Sequence, residues 1–165
     1  PQRRPERLSP AMVHFSTERS VRHSADEMFA LVADVEKYPQ FVPLCERLAV
    51  RSRRVDGDRT VLIADMTVAY KIVRETFTTK VVLDKAAGTI SAEYLDGPFK
   101  HLDNLWTFTP DGPDHCRVRF AIDYEFRSRA LSMLMGSVFD KAFRKFAEAF
   151  EKRADVVYGK SPPKS

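Results

Sequence analysis

The residue types able to do chemistry in this chain are present, but not in the patterns chemistry requires. His14, His23, His101 and His115 are scattered, and Cys45 and Cys116 show neither CxxC spacing nor a partner histidine set of the kind that holds zinc. His101 and Asp103 share a strand face at i, i+2, yet two ligands do not make a metal site and a surface ion pair is the simpler reading. The cysteines read as small buried hydrophobes in a reducing compartment. Asp65 and Glu75 each stand alone in strand-like segments, and a lone carboxylate without a located substrate is a weak sign of acid–base work. No nucleophile elbow, glycine-rich phosphate loop, HExxH or carboxylate pair stands out. Neither catalysis nor metal binding is therefore expected. What the chain has in quantity is 12 Phe, 5 Tyr, 5 Met and one Trp, the side chains from which apolar walls are built.

Two local features go beyond ordinary packing. In Tyr38-Pro39-Gln40-Phe41-Val42-Pro43 two prolines are expected to stop a helix and hold an aromatic loop stiffly outward, as a lid over a cavity or a wedge that enters lipid. Arg51, Arg53, Arg54 and Arg59 cluster about one hairpin and form a candidate contact for a membrane or a partner. A formal net charge of +4 and a pI near 9.2 favour an anionic surface, phospholipid or RNA alike.

These features need elements to position them. A chain of 165 residues, 44% hydrophobic and 30% charged, supports one domain that needs no disulfide or metal. Residues 1–11 are Pro- and Arg-rich without an apolar period and read as a disordered extension or an added remnant. The domain spans 12–159, and 160–165 reads as a disordered tail. No run approaches the roughly 18–20 apolar residues of a membrane span, and no secretory h-region opens the chain, so a soluble, unsecreted protein is expected.

Residues from His14 to Val21 alternate as a strand. Ser24 followed by Glu27 supplies a capping box for an amphipathic helix through about Val35. From about Glu46 to Phe126 the period is two, punctuated at Asp56-Gly57-Asp58, Ala87-Gly88, Asp96-Gly97-Pro98 and Asp111-Gly112-Pro113, which predicts an antiparallel meander. Leu62, Ala64, Met66, Val68 and Tyr70 share one face, as do Val118, Phe120, Ile122, Tyr124 and Phe126, with Glu125 on the wet side. A helix from about Ala130 to Val157 repeats Leu131, Met135, Val138, Phe139, Ala142, Phe143, Phe146 and Phe150 at three- and four-residue steps. Such a stripe must lie on the sheet's apolar face. The predicted class is α+β, a curved antiparallel sheet around a long C-terminal helix, an arrangement that tends to leave a cavity.

Tyr38-Pro39-Gln40-Phe41-Val42-Pro43-Leu44-Cys45, then Gly97-Pro98-Phe99-Lys100-His101-Leu102 with Trp106 and Phe108, then Tyr124-Glu125-Phe126-Arg127-Ser128, resemble in order and spacing the coenzyme Q-binding protein family. The resemblance runs from about Val13 to Gly159; this chain has Leu44 where family members often carry Trp. It implies a START-like helix-grip fold, related to polyketide cyclases, and non-catalytic binding of ubiquinone or a related polyprenyl lipid. The role implied is that of a quinone carrier supporting respiration or quinone biosynthesis. The same motifs resemble ribosome-association toxins that bind the large ribosomal subunit, which is the alternative; a cyclase-like enzyme is less favoured.

For a quinone the expected walls are Phe41, Val42, Pro43, Leu62, Met66, Trp106, Phe108, Phe120, Met135 and Phe139, with Tyr38, Asn104 or Tyr124 as donors to a carbonyl. No cofactor is expected apart from ubiquinone as bound ligand. The expected partners are that lipid, a transient membrane surface and a ribosome, but not DNA. The implied location is cytoplasmic, peripheral to the inner membrane, on the bacterial cytoplasmic or mitochondrial matrix side.

Overall fold

The computed structural model describes residues 11–163. Apart from Ala11, the expected extension over 1–11 lies outside the described residues, as do the last two residues of the 160–165 tail. Within that tail the Ser161 N–H donates to the Arg22 carbonyl at 3.1 Å, so this point is tied back to the domain despite its polar composition.

Seven antiparallel strands and two α-helices make up the fold: β1 (Val13–Val21), α1 (Ala25–Ala33), β2 (Cys45–Asp56), β3 (Arg59–Tyr70), β4 (Val73–Asp84), β5 (Thr89–Asp96), β6 (Phe99–Pro110), β7 (Cys116–Phe126) and α2 (Arg129–Tyr158). The strands form one sheet in the order β1-β7-β6-β5-β4-β3-β2. The meander runs through six neighbouring strands, and β1 closes it beside β7. The 30-residue α2 packs against β7, β1 and α1, and its buried Met135, Phe139, Ala142, Phe143, Ala147, Phe150 and Ala154 repeat at helical spacing. This is the helix-grip arrangement.

Local chemistry explains the joints. Ser24 Oγ accepts from Glu27 N–H, and the Glu27 carboxylate accepts from Ser24 N–H, both at 3.1 Å, so α1 starts with a complete capping box. Ser128 caps α2 by accepting from Leu131 N–H. Gly97 sits at φ 139° with the β4 backbone so close that a Cβ there would lie 2.6 Å from Phe77 Cβ, so only glycine fits this turn.

The structure departs from expectation at four places. Val35–Gln40 is a 3-10 helix with Pro39 inside it, because proline's fixed φ suits that helix. The β3–β4 turn carries no Gly or Pro; Lys71 itself takes φ 54°. Tyr70 is exposed at that turn instead of continuing the inner face, and Glu125 is buried rather than wet, with Lys100 Nζ 3.9 Å away.

Candidate ligand-binding cavity

Between α2 and the concave face of β2–β7 lies a partly open apolar cavity of about 90 Å³. Its position follows from cross-strand register. Ala64 on β3 pairs directly with Thr79 on β4, and Ala92 on β5 pairs with Asn104 on β6, and all four side chains line the hollow. Small side chains meeting on neighbouring strands leave a floor that the α2 aromatics do not fill. Phe139, Phe143, Phe146 and Phe150 of α2 form the roof, and Pro43, Leu44 and Leu48 form the β2-side wall.

Of the residues expected to bind a ligand, Tyr38, Pro43, Met66, Asn104, Trp106, Phe120 and Phe139 line this space. The others lie elsewhere. Val42 is neither lid nor wedge: it is 5% exposed, because its N–H donates to the Tyr38 carbonyl at 2.8 Å and its own carbonyl accepts from Cys45, folding the side chain inward. Phe41 packs edge-on against Phe150 at 5.0 Å between ring centres, with the Arg153 guanidinium 5.2 Å away, so it braces α2 instead of facing the cavity. Leu62 and Met135 are fully buried and lie outside the lining. Phe108 points under α1, edge-on to Phe29 at 5.8 Å. Tyr124 stands beyond the cavity, 5.0 Å from Phe143, next to a shallow depression edged by Ser132, Gly136 and Asp140.

The side chains of the lining that carry hydrogen-bonding groups are Tyr38, Thr79, Asn104 and, through its indole N–H, Trp106. Tyr38 is not the donor expected, because its hydroxyl donates to the Val32 carbonyl at 2.5 Å; burial pushes its pKa far above the ordinary range, so it stays a phenol. Asn104 gives one N–H to the Ala121 carbonyl at 2.9 Å, and a primary amide has a second N–H to offer. Burial likewise raises Cys45 to about 11 and both Cys116 and Tyr124 to about 12, so none of them is ionised near neutrality and neither thiol is an active nucleophile. Asp65 lies on the outer face of β3, bonded to Thr78 and Arg51 and away from the cavity. Among the described residues no three His, Cys, Asp or Glu side chains converge as metal ligands, and no helix is long and apolar enough to cross a membrane.

The β2–β3 arginines are largely matched by carboxylates. Arg51 meets Asp65 at 2.6 Å, Arg53 meets Glu36 at 3.6 Å, and Arg59 meets Asp84 at 3.5 Å.

Sequence reasoning missed Thr79, Ala64, Ala92, Leu48, Phe143 and Phe146 as lining residues. The phenylalanines were visible in the α2 stripe. The small floor residues have no signal without register.

Comparison with known proteins places this geometry. Residues 21–151 match the family described as polyketide cyclase / dehydrase and lipid transport. The ribosome association toxin RatA of Escherichia coli K12 is 35% identical over 147 residues, 89% of this chain and 90% of that protein. The mitochondrial coenzyme Q-binding protein COQ10 homolog B of Xenopus laevis is 31% identical over 157 residues, 93% of this chain and 62% of that one. Among solved structures, an 18 kDa protein of Caulobacter crescentus is similar with a TM-score of 0.73 and 36% identity, covering 89% of this chain and 99% of that one. The Zhui aromatase/cyclase of Streptomyces sp. R1128 superposes with a TM-score of 0.75 over 92% of this chain and 99% of its own, but at 17% identity it shares the fold alone. With a match over most of its length and such relatives, the chain belongs to the polyketide cyclase / dehydrase and lipid transport family.

Proposed function

We propose that the protein is a non-catalytic carrier that holds ubiquinone or a related prenyl lipid between α2 and the sheet, serving respiration or quinone biosynthesis at the inner face of a respiratory membrane. The observation that carries this reading is the lining: a nearly continuous aliphatic and aromatic wall in which Asn104, Thr79 and the Trp106 indole N–H are the polar groups left to meet a quinone oxygen. The coenzyme Q-binding name of the Xenopus relative supports it.

The cavity is narrow. Its volume of about 90 Å³ is smaller than the roughly 150 Å³ void that takes benzene, and ligand pockets usually measure roughly 300–1,000 Å³. Loading therefore requires widening. The yielding side is where Pro43, Leu44, Leu48 and Phe146 are only partly buried, and where Leu44 is held at φ 66°, a conformation that costs a side-chain-bearing residue about 1–2 kcal/mol.

Mass spectrometry of an organic extract of protein purified from a ubiquinone-producing host tests the proposal. A stoichiometric prenylquinone is expected. Its absence, together with failure of added ubiquinone to bind, would reject the carrier. The second reading is a ribosome-binding modulator, favoured by the 35% identity to ribosome association toxins and by the arginines on β2 and β3. It requires stoichiometric sedimentation with large ribosomal subunits at moderate salt.

A further inference from the structure

The start of α2 and the β3–β4 turn present apolar side chains to solvent. Ile72 at the turn is 99% exposed beside exposed Tyr70, while Met133 and Leu134 on α2 are 87% and 62% exposed. From Ala130 to Phe139 the sequence holds no charged residue, so after Arg129 the first turns of α2 carry apolar side chains on both faces, with Ser132 and Ser137 as their polar side chains. Only from Asp140 does its outer face carry ion pairs, Asp140–Arg144 and Glu148–Lys152. A helix apolar on both faces suits an apolar medium. Here the inner side is satisfied by Met135 and Phe139, and the outer side is bare.

Topology gathers these groups at one end of the molecule. The β5–β6 turn packs on β4 at Gly97–Phe77, and the Pro98 carbonyl in it accepts from Arg127 N–H immediately before α2. Beyond Phe77 the β3–β4 hairpin continues for four residues, about 14 Å of strand. Half-exposed Leu95 stands on β5 just before this turn. Around the apolar groups stand exposed Lys71, Arg127 and Arg129, with Asp96 and, on the hairpin, Glu75 as the acidic neighbours; Arg74 and Lys100 are already matched to Glu46 and Glu125. The opposite end is different, since Val55 there stands among arginines paired with Asp65, Glu36 and Asp84.

We propose that this end docks on a bilayer surface bearing anionic phospholipid, with Ile72, Met133 and Leu134 entering the interface and Lys71, Arg127 and Arg129 meeting headgroup phosphates. Leu44, a wall of the cavity, accepts a hydrogen bond from Ala69, next to the turn of the same hairpin, so the docked end adjoins the side on which the cavity yields. The purpose of docking rests on the carrier reading, but the surface is measured without any ligand.

The test is co-sedimentation of the full chain with phosphatidylcholine vesicles and with vesicles containing phosphatidylglycerol. Wild type should pellet with the anionic vesicles, less so as salt rises. The double change Ile72→Glu, Met133→Glu should lower partitioning at least tenfold. Lys71→Glu with Arg129→Glu should lower it several-fold on anionic vesicles alone, and Val55→Glu should change nothing. Melting should be unaffected, because the altered side chains are exposed. A double variant that pellets like wild type overturns the proposal, as does a dimer in solution that Leu134→Glu dissociates, which would make this face a self-interface. Trp106 quenching by a short-tailed ubiquinone separates the two claims. Wild type that stays in the supernatant yet is quenched removes the docking surface and leaves the carrier; Ile72-dependent pelleting without quenching does the reverse.

Discussion

The two halves of the sheet alternate alike in sequence but are filled differently. On the β1, β7 and β6 side, large side chains meet large side chains: Phe108 against Phe29, and Trp106 against Phe120 at 4.8 Å and Phe150 at 4.9 Å. On the β3, β4 and β5 side, Ala64, Thr79 and Ala92 face α2 across empty space. An apolar face therefore does not have to be a packed one. Side-chain size at cross-strand positions separates core from cavity, and an unfilled apolar half suits an exchangeable apolar guest.

Mutation can break this comparison. Phe108→Ala, in the solid half, should cost about 3–5 kcal/mol in denaturant unfolding, as deletion of a fully packed ring does. Val42→Lys should cost about 3 kcal/mol, because an ammonium would be forced into a site 5% exposed; a nearly unchanged midpoint would return Val42 to the surface. In the hollow half, Met66→Ala should cost only about 1–2 kcal/mol, below the usual range for a buried Met, since much of the void it would create already exists. Equal losses for Phe108 and Met66 would erase the distinction.

The smallest effect belongs outside the cavity. Burial works against the Asp65 charge, but hydrogen bonds from Thr78 and Arg51 outweigh it and hold the carboxyl below its ordinary value of 3.8. A depressed carboxyl stabilises the fold above that ordinary value and loses its contribution as pH falls through the folded one. Asp65→Asn should thus lower stability by less than about 1 kcal/mol at pH 7, because the pair is largely solvated, and the difference should vanish in strong acid. Melting curves at both pH values check it.

Much of the fold was legible. Period-two segments broken by Asp-Gly and Gly-Pro turns, the Ser24–Glu27 box and the α2 stripe report backbone geometry and burial directly. The Tyr70–Val73 turn was not, because Lys71 takes a positive φ that no residue signal announces. The site was legible only in part. Trp106, Met66 and Phe139 stand out by type, whereas Ala64 facing Thr79 and Ala92 facing Asn104 depend on register, a long-range property. Val42 misled because its two flanking prolines suggest a projecting loop, while the Val42 to Tyr38 backbone bond turns it inward.

The central claim is that the unfilled half of the sheet is a ligand site, and Trp106 in its wall reports on it. Titration with a short-tailed ubiquinone should quench wild-type fluorescence saturably. Ala92→Phe, which fills the floor, should weaken that binding at least tenfold while shifting stability by less than about 1.5 kcal/mol. Quenching that is absent in wild type, or equally tight in Ala92→Phe, would contradict the account.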